Sequence, residues 1–257
     1  MIKRPKRVEQ SEALFEGRDN QIPYVLKRSS ARRTLTICID EEGELSVSVP
    51  MRTPDKEIKA FLFEKENWIV DKIKESKTRH SKIEERKFED GYEFLYLGEK
   101  FPLKTLLGDV KRVKVEFLND AWYLTLPIGL KGKEKQKRIR TALVKWYRKQ
   151  AEEIIGGRLL HFARIIGVEP EKIAVRTQKR LWGICHHTAK TIHINWQIIL
   201  APMAVVDYVV IHELCHLIVP NHSKRFWNQV ARYMPEYELH ERWLKEHAVD
   251  MVLPQVK

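Results

Sequence analysis

The stretch His212 to His222, reading HELCHLIVPNH, holds the residue types that a hydrolytic metal site needs. His212 and His216 stand four residues apart. On a helix, residues i and i+4 lie on one face a turn apart, so both imidazoles can reach one ion. Glu213 projects beside them, where a carboxylate can hold a water and take its proton. A catalytic zinc takes three protein ligands and keeps one position open. His222 is the natural third donor, because Pro220 disfavours the helical region for Val219 and Asn221 tolerates a left-handed turn that brings the chain back. The expected site is therefore His212, His216 and His222 around Zn²⁺, with Glu213 as general base. Glu236, Glu238 or Glu241 could replace His222 only if a distant element folds back onto the helix.

The elements that must position these groups follow from the flanking pattern. Ala204 to Ile211 is apolar with a single charge, as expected of a buried helix that carries ligands into a cleft, and Pro202 marks its start. Cys215, one residue from His216, points about 100° around that helix and reads as a buried thiol. Asp207 and Glu241 are candidates to hold a ligand ring from behind, and Asp207 would also suit the first turn of the helix. Upstream lie three short strand-like runs, Ile173 to Thr177, Leu181 to Cys185 and Thr191 to Trp196, with His187 to Lys190 as a hairpin connection. The last run could align an extended peptide beside the cleft. Alternation puts His193 and Asn195 on one face; His186, His187 and His193 read as cleft-wall or surface residues, with a ligand role for one of them as the alternative. Downstream, Lys224 to Tyr233 and a segment from Pro235 to about Met251 read as helices.

The rest of the chain is β-rich at its start. Ile22 to Lys27, Arg33 to Ile39 and Glu44 to Val49 alternate, with Asp40 to Gly43 as a turn. After Pro54 the apolar spacing predicts one helix of roughly five turns, with a charged segment from Lys74 to Lys87 fraying into a loop. Tyr92 to Lys104 and Val113 to Leu126 read as further strands, turning at Gly98-Glu99 and Asn119-Asp120. Their aromatics, Tyr92, Phe94, Tyr96, Trp122 and Tyr123, could stack bases, but alternating aromatics more often pack a sheet, which is the role expected of them. Lys133 to Ile166 is mainly helical, with Gly156-Gly157 as an interruption. The expected organisation is α+β: a β-rich N-terminal region, 1–130, and a mainly helical catalytic domain with a small antiparallel sheet, 131–257.

Composition narrows the classes. The chain has 257 residues and a net charge of +12, with no run of 18 apolar residues to span a membrane. Three cysteines, far apart, fit reduced thiols in a cytoplasmic protein, and MIKRPKRVEQSEALF lacks the apolar core of a signal peptide. The charge is uneven: residues 1–150 carry 34 Lys and Arg against 24 Asp and Glu. Residues 131–149 alone hold nine basic residues and one acid, on a helix whose inner face is Ile139, Leu143, Trp146 and Tyr147. Such a face could meet the phosphates of a nucleotide or a nucleic acid, or could simply be solvated.

RLWGICHHTAKTIHINWQIILAP, followed by VDYVVIHELCHL and NHSKRFW, resembles the YgjP-like metallopeptidase family, relatives of the SprT-type zincins. The matching residues are Trp182, Gly183, Cys185, Asn195, Trp196, His212, Glu213, His216, Asn221, His222 and Ser223, and RRTLTICIDEEGELSVSVP extends the likeness toward the N-terminus. The resemblance implies a zincin-like fold, a zinc site and a peptidase activity; hydrolysis of nucleoside triphosphates has also been attached to the family. Ile184 departs from the small residue usual between the glycine and the cysteine, and His186 and His187 stand where small polar residues are usual. Three readings remain: a zinc-dependent peptidase, a metal-dependent nucleotide hydrolase lacking any glycine-rich phosphate cradle, and a nucleic-acid-binding module with a structural zinc. Structural zinc sites are closed and cysteine-rich, which weighs against the third.

Overall fold

The computed structural model describes residues 7–40, 42–84, 87–178, 181–254 and 256. The chain divides into two compact units, Met1–Glu85 and Arg86–Lys257.

In the first unit β1 (Val8–Glu16) and β2 (Gln21–Ser29) form a long hairpin, with Val8 opposite Ser29 and Glu16 opposite Gln21. β3 (Thr36–Ile39) and β4 (Leu45–Pro50) follow, and β4 runs parallel to β2, giving the order β1-β2-β4-β3. Of the turn between β3 and β4, Glu41 lies outside the described residues. Alternation along β4 buries Leu45, Val47 and Val49 while Ser46 and Ser48 stay part-exposed. α1 (Asp55–Glu64) and α2 (Glu66–Glu84) close the core, where Ile58, Leu62 and Ile69 join Phe15, Ile22 and Leu26. Two expectations are corrected here. One helix becomes two, separated at Lys65, and the charged segment stays helical to Glu84, because Lys and Glu are good helix formers and pair along it, as Lys72 does with Glu75 at 2.7 Å. β1 is an addition; its sequence VEQSEALFE is mostly polar because it is an edge strand with exposed faces.

The second unit holds the histidines. β5 (Glu93–Tyr96), β6 (Glu99–Gly108), β7 (Lys114–Leu118) and β8 (Ala121–Pro127) form a sheet of order β5-β6-β8-β7. Its hairpins turn at Leu97-Gly98 and Asn119-Asp120, all four with positive φ, the geometry that matches strand twist. α3 (Gly132–Ile166) then runs unbroken through Gly156 and Gly157, where an interruption was expected. Its buried stripe, Ile139, Leu143, Tyr147, Ala151, Ile155, Leu159 and Ala163, repeats every four residues and holds the helix together from one side. The sheet aromatics pack on that stripe: the Trp122 and Trp146 rings meet edge to face at 4.6 Å, and the Tyr147 hydroxyl donates to the Leu95 carbonyl at 2.8 Å. The sheet of residues 93–127 therefore shares its core with α3, and the compact units part at 85/86, whereas the sequence placed the divide at 130/131. On the basic side of α3, Arg140 is committed to structure, donating to the Pro254 carbonyl at 2.9 Å.

β9 (Lys172–Arg176), β10 (Gly183–His186) and β11 (Thr191–Asn195) form a small sheet of order β10-β11-β9. β11 is antiparallel to β10 but parallel to β9, so this sheet is mixed. A 3-10 turn, Trp196–Leu200, leads to α4 (Met203–Cys215), α5 (Lys224–Tyr233) and α6 (Tyr237–His247). The β5–β6 hairpin tip sits on the start of α4: Leu97 and Gly98 donate to the carbonyls of Ile199 and Leu200 at 2.9 and 3.1 Å. A Cβ on Gly98 would fall 2.6 Å from Pro202, the residue that caps α4. Among the described residues no helix is long and apolar enough to cross a membrane.

Candidate metal centre

α4 is apolar on nearly every side, and Val205, Val206, Val209, Val210, Ile211 and Leu214 are all buried. Such a helix is a rigid post, fixed to α3 by Asp207, which receives two hydrogen bonds from Arg158 at 2.5 and 2.7 Å. Asp207 thus braces the helix rather than a histidine ring. Regular helix ends at Cys215, and tight bonds from Ile218 and Val219 to the Cys215 carbonyl turn the chain before Pro220. Asn221 does not adopt the left-handed conformation expected of it; its side-chain carbonyl instead accepts from the Ser223 amide at 3.3 Å, closing an Asx turn.

This turn returns His222 to the helix face. The Nε2 atoms of His212, His216 and His222 lie 3.2, 3.2 and 3.1 Å from one another. Ligand nitrogens at about 2.0–2.1 Å from a tetrahedral zinc sit roughly 3.3 Å apart, so the spacing fits one ion. Nδ1 of His216 lies 3.1 Å from the Val219 carbonyl and must donate there, which leaves its Nε2 bare toward the centre. Burial and the neighbouring His216 and His222 push His212 down to about 3, and burial also lowers His216; both are neutral at pH 7, the state that binds a metal. Phe226 backs the cluster, its ring stacked on His216 at 4.3 Å. Among the described residues this is the one group of three or more His, Cys, Asp or Glu side chains whose donor atoms converge. Glu236, Glu238 and Glu241 stand apart from it, and Glu241 pairs with Lys245 at 2.9 Å.

Glu213 is 5 % exposed, and burial pushes its carboxyl up to about 8 in the absence of an ion. Gly183 of β10 faces it so closely that a Cβ there would lie 2.6 Å from Glu213 Cγ and Oε1. Cys185, two residues on, is held protonated by burial and by Glu213, its thiol pushed up to about 11. Cys215 is fully buried in the core and is pushed up to about 12 by burial.

The other histidines have separate roles. His187 Nδ1 meets the His216 carbonyl at 2.8 Å, holding the end of α4 from outside, and His186 meets His193 edge to face at 5.7 Å. β11, expected to align a peptide, is overturned in that role, because it is paired on both sides. β10 and β9 are the two edge strands of this sheet, and β10 is the one that touches Glu213. His187, read from the sequence as a cleft-wall or surface residue, is at the wall of the site; Arg158 and Trp227 were missed as parts of it, and Trp227, stacked on His222 at 5.6 Å, had only an inward helical position to signal it.

The sequence matches the model of the YgjP-like family, described as a metallopeptidase domain, over residues 33–247. No curated protein matches. Among solved structures, the metallopeptidase zymogen of Pyrococcus abyssi abylysin is 22 % identical, covering 36 % of this chain and 93 % of its own with a TM-score of 0.33. The zymogen of Methanocaldococcus jannaschii jannalysin is 19 % identical, covering 37 % and 96 %, with a TM-score of 0.34. Neither likeness is large enough to bear on the function of this chain. The family match spans both compact units and takes in all three converging histidines and Glu213, so the chain belongs to the YgjP-like metallopeptidase family and is a metallohydrolase.

Proposed function

We propose that the protein is a zinc-dependent peptidase in which His212, His216 and His222 hold the ion and Glu213 is the general base. The observation that carries this reading is the convergence of three imidazole Nε2 atoms beside a buried carboxyl group in a chain of this family. An all-nitrogen donor set with no fourth converging donor among the described residues suits zinc in a catalytic site. Zinc held there would polarise a carbonyl and lower the pKa of water to about 7. Glu213 takes a proton from the attacking water and returns it to the departing amine. Gly183 leaves the space in which that carboxylate sits. The unpaired side of β10 offers main-chain hydrogen bonds to an extended substrate, drawing it past Glu213. His216 keeps its metal-binding tautomer through the Val219 carbonyl.

The test compares zinc-loaded wild type with Glu213→Gln on two substrate panels. One holds unfolded proteins and peptides; the other holds nucleoside triphosphates, followed by phosphate or pyrophosphate release. Glu213→Gln is expected to keep its zinc and lose peptide cleavage by several orders of magnitude. Glu213-dependent release from triphosphates without peptide cleavage would overturn the peptidase reading, and undiminished peptide turnover by Glu213→Gln would overturn the base assignment.

A further inference from the structure

The small sheet beside the metal centre has two faces, and the strand registers say which residues share each. His193 of β11 stands opposite Ile184 of β10 and Ala174 of β9, and Thr191 stands opposite His186 and Lys172. Opposite residues point the same way, and so do residues two apart along a strand. The other set, Ile192 and Ile194 with Ile173, Val175 and Cys185, packs into the core. The His193 set, joined by Arg176, is therefore the outer face. Lys172, Arg176 and His186 are exposed there, while Ala174, Ile184 and His193 are half-buried.

This face carries one sign of charge. β9, β10 and β11 contain no Asp or Glu, and neither does the turn of residues 187–190. Neither Lys172 nor Arg176 has an ion-pair partner among the described residues. Ala174 lies between them on β9 and opposite His193, so a small side chain makes a floor and three longer nitrogen-bearing ones stand around it. With strands about 4.8 Å apart and a rise of about 3.3 Å per residue, Lys172 and Arg176 each start roughly 8 Å from His193. Both side chains are long enough to lean over Ala174 toward one group that also meets the His193 ring. His186 closes the β10 side, its ring edge to face with His193 at 5.7 Å. At the far end the face stops where the Asn195 amide donates to the carbonyls of Gln178 and Leu181 at 3.0 and 3.3 Å. The electrostatics agree with the geometry: burial, then Arg176, His186 and Lys172, lower His193, and no carboxylate offsets them.

A cradle of this kind takes an oxyanion. A cation would meet like charge, and an apolar group would take water from Lys172 and Arg176 without replacing it. Its position points to the source. A chain laid on the free side of β10 runs three strand spacings from β9, or about 14 Å, a gap that four or five extended residues span. Carboxylates further along that same chain can therefore reach the cradle.

We propose that the outer face of this sheet is an exosite for an acidic stretch of the polypeptide substrate, with a carboxylate over Ala174 between Lys172, Arg176 and His193. The inference rests on the peptidase reading of the adjoining centre, since it names which substrates that centre would prefer. The contacts are exposed and screened by salt, so a preference of about tenfold is expected at low ionic strength, shrinking as salt is added.

The test has an equilibrium arm and a kinetic arm, so that the exosite and the peptidase reading can fail separately. Zinc-loaded Glu213→Gln protein is titrated at low salt with fluorescein-labelled hexaglutamate and hexaglutamine peptides, followed by anisotropy. Hexaglutamate is expected to bind about tenfold tighter. Adding Lys172→Gln/Arg176→Gln should abolish the difference. Ala174→Leu, which fills the floor without altering charge, should reduce it, and both should keep their zinc and circular dichroism. Lys145→Gln/Arg148→Gln on α3 removes the same net charge and should keep the preference. In cleavage by the Glu213 enzyme, peptides with a run of Glu rather than Gln about five residues from the cut should differ about tenfold in KM with kcat little changed. That ratio should fall toward one in Lys172→Gln/Arg176→Gln. Equal binding of the two peptides, an equal KM, a preference that survives Lys172→Gln/Arg176→Gln or Ala174→Leu, or one lost equally in the α3 variant overturns the exosite and leaves the peptidase reading standing. Oligothymidylate binding more tightly than hexaglutamate through the same pair overturns it in favour of nucleic acid. Hexaglutamate binding that depends on Lys172 and Arg176, without any peptide cleavage by wild type, supports the face as a site for acidic polypeptide and overturns the peptidase reading instead.

Discussion

Replacing Gly183 by alanine tests how Glu213, the proposed base, is held. The added Cβ would fall 2.6 Å from Glu213 Cγ, 2.6 Å from Oε1 and 2.8 Å from Cδ. Ordinary carbon contacts begin near ~3.5 Å, so one side must move by on the order of 1 Å. Glu213 is 5 % exposed on a helix that is buried along most of its length, so the carboxylate is the part that must shift. Overpacking of this kind costs about 1–3 kcal/mol, partly offset by the entropy that alanine removes from the unfolded chain. For a unit of this size that is a fall in Tm of roughly 2–6 °C. The rate should suffer more, because a misplacement of about 1 Å in a catalytic group costs on the order of 10²-fold. All three of the nearest atoms belong to Glu213 and none to a histidine, so zinc content should stay at the wild-type value. The assay is cleavage of an unfolded protein by zinc-loaded enzyme, with metal measured in the same samples. In the Glu213→Gln background alanine at 183 should cost no further rate, since the group it displaces no longer acts. A folded, zinc-replete Gly183→Ala enzyme with wild-type kcat/KM would refute the close fit as the reason for glycine.

His222→Ala leaves two histidines and should lose most of its zinc on dialysis, read as zinc per protein, while the buried core around Phe226 keeps the fold. Arg158→Ala strands Asp207, whose side chain is only 13 % exposed; the pair lies between surface and interior, so a loss of about 2 kcal/mol is expected in denaturant unfolding of the metal-free protein. The Glu213 carboxyl also gives a pH signature in metal-free protein. Its folded value, about 8, lies above the 4.5 of the unfolded chain, so the stability that it contributes is complete below 4.5 and is lost as pH rises through 8. The unfolding free energy of wild type relative to Glu213→Gln should therefore fall between pH 4.5 and 8 and level off above, the reverse of an ordinary paired carboxylate; a flat difference would remove burial as the cause.

The histidines were legible because everything that brings them together is local. Helical periodicity places His216 over His212, and a proline-terminated turn of six residues returns His222, so no distant element is needed to specify the cluster. The α+β class was legible for a similar reason, since β4 and the α3 stripe each carry one clean period. What escaped were features set by solvent or by partners far along the chain. α2 is helical by charge pairing and propensity without an apolar stripe to announce its length, and β1 is a strand because β2 offers it an edge. The unit boundary escaped because alternation in residues 93–127 says that one face is buried, and only packing says that α3 covers it.

The same contrast separates the centre from what shapes it. Arg158 is 49 residues from Asp207, and His187 is 29 from the His216 carbonyl that it holds. An arginine in a long amphipathic helix has no local pattern that distinguishes a brace from a solvated charge, and a histidine in a hairpin turn has none that distinguishes a helix stop from a ligand. Gly183 is a partial exception. The resemblance marked it as part of a strand motif, but strand glycines usually signal a bulge or a close backbone approach. Here the approach is by a side chain, and that side chain is Glu213. A glycine fitted so closely to a carboxylate ties β10 to the motif helix: whatever shifts the strand shifts Glu213. Ile184, where the resemblance leads one to expect a small residue, lies next along that strand and pairs with His193. A bulky side chain there can therefore alter how a substrate strand lies along β10 while Gly183 keeps Glu213 in place, so variation at 184 should move KM more than kcat.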